Sequence, residues 1–509
     1  MPRFSKKVKK IFDLIWYKGD IEQSKLIFKE LASPLDMAFA KIWLAYYYFL
    51  FLKPNLALTE LEKSEEINLS NLDPLNSFFI NSLYFYYYAG WSSPTVSLEL
   101  AKNYFNNFES LYNSRIEYFD EWEKYLCEGM YYTDKGFYNG LFEHNFEQGI
   151  MLLKKAKETY RLIPEDGEYF SRFVSSANLG ILQRFAGHFD ESEKNLQIAS
   201  QEAEKHNNLW QIIPLFHLQW LSVQKGEIKK AMELNDKAYG ISKKFNYIIG
   251  IYGNLGIRGD LFNKDGKYDE ALDSYQESLI YRKQHKDPLE ICKGYMDIFF
   301  LYYQNFRLNK EKENFKKAEE LLLQIKKLHE QHPDDKTITN YTNYSEARVL
   351  KFGNFNKRAK ASMMFEELMK IWPDNFDIVK EYLDLLFEDY SISEDQETMG
   401  KIDFLMKKVI ELPLSINSIR SFVSQQIMLA RYQFFIKDDI GSAFEILNEA
   451  KEKISPFKIH RYNSQLEHEL MNFKNERTKW EKADYSVKER IEKSEFKKYI
   501  QEALKTKIS

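Results

Sequence analysis

The sequence predicts an all-α protein built as a tandem array of helix pairs. Three glycines that precede the second helix of a pair are evenly spaced: Gly226 follows Gly187 by 39 residues and precedes Gly266 by 40. Repeats of this length are typical of stacked helical hairpins, because one hairpin cannot bury its apolar face without neighbours. With only 20 Gly and 12 Pro in 509 residues, the composition favours long helices and short turns.

Each predicted second helix carries a small residue with a bulky residue four positions later, as in Ala271 with Tyr275 and Ala443 with Leu447. This spacing forms one stripe on a helix, and the small residue lets the partner helix approach closely. The frame predicts about ten or eleven pairs at an average spacing near 42 residues. Its small residues are Ser24, Ala57, Ala101, Gly149, Ser192, Ala231, Ala271, Ala318, Ala361 and Ala443, with a degenerate copy near Gly400.

Charge argues against binding of bulk nucleic acid. The 72 basic and 76 acidic side chains give a net charge of −4, without the basic excess that neutralises phosphates. Cys127 and Cys292 are too few and too far apart for a disulfide framework, which suits a reducing compartment, and we expect both to be buried.

No segment reads as a membrane anchor or an export signal. The most hydrophobic run, 42–52, is too short to cross a bilayer, and Asp13 and Lys18 interrupt the apolar stretch near the amino terminus. We therefore expect a cytoplasmic protein without membrane insertion. No cofactor is predicted.

The frames 187–192 and 266–275 resemble tetratricopeptide repeats of the longer kind found in kinesin light chains and maltose-type transcription activators. The resemblance is clearest from about 170 to 285 and stays in phase outside that range. It implies a right-handed superhelical solenoid whose first helices line a concave groove for peptides or partner proteins, and it implies no catalysis. The nucleotide-binding loop and the DNA-binding helix pair of the activators do not occur in this sequence.

Four regions follow from the quality of the repeats. Residues 1–170 contain degenerate amino-terminal hairpins, 171–290 the best repeats, and 291–473 degenerate carboxy-terminal hairpins. Residues 474–509 form a charged amphipathic helix, which is either a static cap on the last hairpin or a mobile element that docks on a partner or in the groove.

The resemblance also places first-helix residues in the groove. The inward positions of the best hairpins are Ala177, Ile181 and Arg184; Phe216, Trp220 and Val223; and Asp260, Asn263 and Lys264. From these we take Arg184, Phe216, Trp220, Asp260, Asn263 and Lys264 as the candidate partner-binding residues, because Arg and aromatic side chains dominate many interfaces. Trp220 with Arg184 would hold apolar and acidic side chains of a peptide. The alternative is that Trp220 only packs between repeats.

Two further patterns have a structural explanation beside a functional one. Gly250, Gly253, Gly256 and Gly259 recur every third residue, but no strand precedes them as a phosphate loop requires, so they favour close approach of a neighbouring helix or a bound peptide. His329 and His332 have metal-ligand spacing, yet the end of a solvated helix explains them better.

The sequence thus predicts a non-enzymatic scaffold that binds a protein or peptide partner. The alternative is a sensor whose superhelix changes shape when a peptide or small ligand binds. No catalytic motif supports an enzyme.

Overall fold

The computed structural model describes residues 5–18, 20–50, 54–67, 74–88, 98–143, 145–163, 170–206, 209–309, 311–372, 375–393, 395–411, 419–455 and 460–480. Within these ranges the chain forms 23 α-helices and no strand, which confirms the predicted all-α class. In chain order the helices are α1 Lys6–Asp13, α2 Ile21–Phe28, α3 Pro34–Leu50, α4 Pro54–Ile67, α5 Pro74–Tyr88, α6 Leu98–Arg115, α7 Glu121–Phe137, α8 Phe146–Tyr160, α9 Ser175–Ala186, α10 Phe189–Lys205, α11 Ile212–Gln224, α12 Ile228–Lys244, α13 Ile248–Lys264, α14 Tyr268–His285, α15 Pro288–Asn309, α16 Lys312–Gln331, α17 Lys336–Leu350, α18 Phe355–Ile371, α19 Phe376–Ser393, α20 Gln396–Glu411, α21 Ile419–Arg431, α22 Ile440–Ile454 and α23 His460–Trp480.

Short segments of other helical types extend several of these helices. Five-residue π-helical turns cover Leu14–Lys18, Tyr138–Phe142, Phe170–Val174 and Tyr432–Ile436. Three-residue 3₁₀ turns cover Ile116–Tyr118 and Leu209–Gln211.

Successive helices pack against each other as hairpins, from α1 with α2 to α21 with α22, and α23 packs on the last hairpin. The described helices therefore form eleven hairpins and one further helix, in agreement with the predicted ten or eleven.

The small residues of the repeat frame all lie in second helices, and all except Gly400 are buried. Close approach is evident between α9 and α10, where Ser192 Oγ donates to the carbonyl of Gly180 over 2.6 Å. A Cβ atom on Gly180 would fall 2.6 Å from Cγ of Leu196, so a larger residue would push the two helices apart.

The degenerate copy near Gly400 differs in detail from its prediction. Gly400 is exposed, and a Cβ atom there would meet nothing within 4 Å. The buried stripe of α20 instead contains Ile402, Met406 and Val409, which keep the i, i+4, i+7 spacing. A large residue, Ile402, therefore occupies the position that is small in the other hairpins.

The three glycines that define the repeat adopt a backbone conformation that ends a helix. Gly187, Gly226 and Gly266 have φ values of 82°, 78° and 75°, the left-handed conformation that glycine adopts without steric cost. Pro288 is the first residue of α15, where its missing N–H group is tolerated.

The chain divides into two compact units. Unit 1 comprises Met1–Leu221 and Glu233–Gly250, and unit 2 comprises Ser222–Met232 and Ile251–Ser509. Helices α11, α12 and α13 contribute residues to both units.

Unit 1 contains a contact that links its beginning to its end. The indole Nε1 of Trp210 donates to the carbonyl of Ile15 over 2.8 Å, across 195 positions of sequence. The Trp210 ring also packs edge-on against Tyr47, with 6.0 Å between ring centroids. Residues of the first hairpin and of the segment before α11 therefore share one apolar core within unit 1.

The end of unit 2 is held by buried contacts. Phe473 stacks on Phe434 with ring centroids 4.3 Å apart, and Arg431 forms a buried ion pair with Glu469. Residues 474–480 continue α23 without interruption. The rest of the predicted carboxy-terminal helix, 481–509, lies outside the described residues.

Both cysteines are buried, as expected, and no disulfide joins them. None of the described helices combines the length and the apolar character needed to cross a membrane.

Candidate functional site

In unit 1, α11 presents two aromatic rings to the solvent. Phe216 is 39% exposed and Trp220 is 36% exposed, and they are the only exposed residues of this helix. Their ring centroids lie 6.3 Å apart at an angle of 69°. The two rings form a continuous apolar surface one helical turn long.

The remaining side of α11 explains why these rings face outward. Leu218 is buried in a cluster with Leu182 of α9 and Leu196 of α10, and Pro214 and Leu215 are also buried. The i, i+4 spacing of Phe216 and Trp220 then places both rings on the opposite, open side of the helix.

Arg184 lies half-buried in the last turn of α9, and its neighbour Phe185 packs against the same apolar cluster as Leu218 of α11. Its guanidinium carbon is 4.4 Å from the centroid of the Phe185 ring. Nε of Arg184 is enclosed without a hydrogen-bond partner, and the guanidinium forms no ion pair with any described residue. Burial lowers the pKa of Arg184 to about 10.

His217 lies beside the Phe216 ring, and the charge of Arg184 contributes to the pKa shift of this histidine. Burial, with a smaller contribution from the positive charge of Arg184, lowers the pKa of His217 to about 3, so this imidazole is neutral at physiological pH. The His217 ring lies 5.3 Å from the Phe216 ring, and Nδ1 of His217 is buried without a hydrogen-bond partner. We call Arg184, Phe216, His217 and Trp220 the aromatic–arginine site.

Two residues predicted to face the groove contribute to packing instead. Ala177 and Ile181 are each only 5% exposed and belong to the apolar cores of unit 1.

The other three candidate residues lie on α13 in unit 2. Asp260 accepts a hydrogen bond from Tyr275 Oη over 2.5 Å. Nδ2 of Asn263 donates to Gln304 over 3.2 Å, and Oδ1 of Asn263 is buried without a hydrogen-bond partner. Lys264 is half-buried at the end of the same helix.

Asp260 belongs to a charged cluster around Arg282, which donates to Glu290 over 2.7 Å and lies 3.5 Å from Asp297. Burial raises the pKa of Asp297 to about 7, Arg282 opposes the rise, and the carboxylates of Asp260 and Glu290 add to it. Sequence spacing did not predict this cluster.

The glycine stripe on α13 serves mainly for packing. A Cβ atom on Gly259 would fall 2.5 Å from the Tyr275 ring, and one on Gly250 would overlap Ser242 Oγ at 2.5 Å. Gly253 differs, because a Cβ atom there would meet nothing within 4 Å. Close approach by a neighbouring side chain therefore explains Gly250 and Gly259 but not Gly253.

The His329 and His332 pair lies at the end of α16, where His329 Nδ1 is 3.3 Å from Thr339 Oγ1. No group of three or more potential ligands that could hold a metal ion occurs in the described part of the chain.

Unit 2 also contains a buried charge network that the sequence analysis missed. Glu381 and Asp384 of α19 pair with Arg307 of α15, with Arg348 of α17 and with Lys351, which directly follows α17. The side chains of these five residues are at most 10% exposed. The available signal was the occurrence of charged residues on, or directly after, the first helices of three successive hairpins.

These observations define the class of the protein, which is a helical-hairpin repeat protein with a tetratricopeptide-like fold. No protein-family model matches the chain, and no curated protein sequence does.

Several solved structures are similar to the chain. A Rap protein complexed with competence and sporulation factor shares 13% identity and a TM-score of 0.45, covering 74% of this chain and 97% of the Rap chain. The apo form of RapI shares 14% identity and a TM-score of 0.49, covering 74% of this chain and 99% of RapI. The human IFIT1 dimer with m7Gppp-AAAA shares 14% identity and a TM-score of 0.45, covering 87% of this chain and 93% of IFIT1. Similarity at this level carries no information about ligands.

Proposed function

We propose that this protein is a non-enzymatic scaffold that binds an extended segment of a partner protein at the aromatic–arginine site of unit 1. The observation that supports this proposal most directly is the exposure of Phe216 and Trp220 on a helix whose other positions are buried or half-buried. Exposed aromatic clusters mark interaction surfaces, because rings of this size contribute much of the binding energy when a partner covers them.

The chemistry of the site suits recognition rather than reaction. Two rings offer apolar contact area, and one guanidinium offers hydrogen-bond donors, but neither group is a nucleophile or a general base at neutral pH. His217 is held in its neutral form by burial and contributes no charge to the surface. The two buried cysteines, which form no disulfide with each other, fit a reducing compartment such as the cytoplasm.

The competing interpretation is that Trp220 only packs between repeats. Exposure of 36% for Trp220, beside 39% for Phe216, favours a ring that is available to a partner. Fully packed rings of the same unit, such as Trp43 and Trp210, are each 2% exposed.

A photo-crosslinking amino acid introduced at position 216 of the full chain tests the proposal in cells of the source organism. We expect a defined set of crosslinked proteins, and we expect the set to be lost when Trp220→Ala is added, because truncation removes half of the apolar surface.

The matched control places the same crosslinker at Phe355, which is 83% exposed in unit 2 and lies outside the site. Identical crosslinked proteins at positions 216 and 355, or a set at 216 that survives Trp220→Ala, would contradict the proposal.

A further inference from the structure

Unlike two other arginines of unit 1, Arg184 has no carboxylate partner among the described residues. In the same unit Arg172 pairs with Glu202 at 2.8 Å and Arg161 pairs with Glu158 at 2.9 Å. Arg184 is half-buried, as Arg172 is, yet the described residues offer it neither an ion pair nor a hydrogen bond. A partly buried charge without a partner costs stability, so its presence needs an explanation.

The surroundings of Arg184 fix the charge of the site. The ring of Phe185 covers the guanidinium at 4.4 Å, and the neutral imidazole of His217 lies within reach of its electrostatic field. Of the four residues of the aromatic–arginine site, Arg184 alone carries a charge at neutral pH, because burial keeps His217 neutral. The site therefore offers a single positive charge with free donors, next to the rings of Phe216 and Trp220.

We infer that Arg184 receives a carboxylate of the bound partner segment, with Phe216 and Trp220 contacting an apolar side chain of the same segment. This inference rests on the proposed function and specifies its ligand. The fork of guanidinium donors matches the two oxygens of a carboxylate, and charge-assisted hydrogen bonds of this kind are strong when water is excluded. One cation balances a carboxylate monoanion better than a phosphate dianion.

Two sources could supply the carboxylate, namely an Asp or Glu side chain and the carboxyl terminus of the partner. Both present the same pair of oxygens to Arg184. The test below separates them.

If Arg184 serves binding rather than folding, its replacement should not lower the thermal stability of the protein without a partner. Replacing Arg184 by Met keeps the apolar stem and removes the uncompensated charge. We expect Arg184→Met to fold with a thermal midpoint equal to or above that of the unsubstituted chain, because no ion pair or hydrogen bond is lost and the Met side chain can still pack on the Phe185 ring. A clearly lowered midpoint would indicate a structural role for Arg184 and would overturn the inference.

Selection from a random-sequence peptide library on the full chain tests the ligand itself. We expect enriched peptides to combine Asp, Glu or a free carboxyl terminus with a nearby large apolar residue. With Arg184→Met the acidic preference should disappear while the apolar preference remains, and with Trp220→Ala the apolar preference should be the one that weakens. The control Arg172→Met, which removes an arginine paired with Glu202, should leave both preferences intact.

The outcomes separate the inference from the proposed function. Enriched peptides whose acidic preference survives Arg184→Met would overturn the inference and leave the proposed function standing. A library that yields no enriched peptide on the unsubstituted chain would contradict both.

Synthetic versions of one enriched peptide then identify the source of the carboxylate. One version replaces its Glu or Asp by Gln or Asn, one carries a carboxy-terminal amide, and one carries phosphoserine at the acidic position. We expect one of the first two changes to weaken binding about 10- to 100-fold, the range for a lost hydrogen bond to a charged group. Undiminished binding of both, or tighter binding of the phosphoserine peptide, would overturn the assignment of a carboxylate.

Discussion

The buried charges of unit 2 show how strongly single residues determine local stability. Glu381 accepts hydrogen bonds from Tyr303 Oη at 3.1 Å and Arg307 Nη1 at 3.2 Å, and it also pairs with Arg348 and Lys351. The pKa of Glu381 is held well below its ordinary value: burial acts to raise it, but the combined charges of Lys351, Arg307 and Arg348 outweigh burial. The carboxylate is thus an obligatory partner of three cations.

Replacing Glu381 by Gln should destabilise the protein by about 3–5 kcal/mol, because it leaves buried cations without their counter-charge. The free energy of unfolding in urea measures the effect. Glu397→Gln is the matched control: the Glu397 side chain is 80% exposed and forms only an i, i+4 pair with Lys401 at 3.6 Å. The control should change stability by less than about 0.5 kcal/mol, and equal losses in both variants would contradict the prediction.

Loss of the proton from Asp297 should lower the free energy of unfolding as the pH rises towards neutrality. Its folded pKa of about 7 exceeds the ordinary value of 3.8, so the folded state holds a proton that the unfolded state has already lost between these values. The free energy of unfolding therefore falls as the pH rises through this range.

Asp297→Asn should remove this dependence, so that the thermal midpoint changes less between about pH 5 and about pH 8 than in the unsubstituted chain. The exposed Asp273 of α14 supplies the control, because Asp273→Asn should leave the pH profile as it is. An unchanged profile in Asp297→Asn would show that other groups account for the dependence.

At the scale of single residues, helical spacing predicted the exposure of side chains only in part. Phe216 and Trp220 are exposed, whereas Ala177 and Ile181, which the same geometry placed inward, are buried. Helical spacing identifies a face but does not tell how deeply a neighbouring helix covers it. The charge network around Glu381 escaped prediction because its acidic and basic members are 30 or more positions apart in sequence.

At the scale of helices and hairpins, the repeat frame was the most reliable guide. A small residue four positions before a bulky one located the second helix of each hairpin, because packing of two helices restricts the volume at their crossing point. The frame was less accurate at α20, where Ile402 is buried and Gly400 is exposed. Because a large residue occupies this position, the small residue of the repeat frame is missing from α20, although its buried residues keep the helical spacing.

Two glycines of α13 should respond to alanine in opposite directions. Gly259→Ala places a methyl group 2.5 Å from the ring of Tyr275, which must shift although its hydroxyl is bonded to Asp260, so a loss of about 1–3 kcal/mol is expected. Gly253→Ala meets nothing within 4 Å and should stabilise the helix by about 0.5–1 kcal/mol. Urea unfolding of both variants measures the difference. Destabilisation by Gly253→Ala would show that its open space is needed by another part of the chain.

At the scale of the whole molecule, a destabilising substitution in one unit should lower the local stability of that unit and not of the other. Leu153 and Leu447 are matched residues, since both are 0% exposed and both follow a frame residue by four positions, one in unit 1 and one in unit 2. Leu→Ala at either site should cost about 2–5 kcal/mol through the cavity it leaves.

Hydrogen exchange should locate each loss in the unit that carries the substitution, because a hairpin contacts mainly its neighbours. Leu153→Ala should accelerate exchange in unit 1, and Leu447→Ala should accelerate it in unit 2. Uniform acceleration over the described chain in both variants would instead indicate a single cooperative unit.

The sequence predicted the helical class and the number of hairpins because both follow from periodicity along the chain. The superhelical sense and the groove remain predictions from the family resemblance. The division into two units and the bond from Trp210 to Ile15 could not be predicted, since they depend on how small rotations accumulate over many hairpins.

The hydrogen bond between the Trp210 indole and the Ile15 carbonyl has an evolutionary consequence. Open repeat proteins grow or shrink readily by duplication or loss of a whole hairpin, since their ends are free. In unit 1, adding or deleting one hairpin between residues 15 and 210 would move the Trp210 indole away from the Ile15 carbonyl. The displacement would be about 10 Å, the distance between the axes of packed helices. Homologues of this chain should therefore vary in length outside that interval while keeping a constant number of hairpins within it.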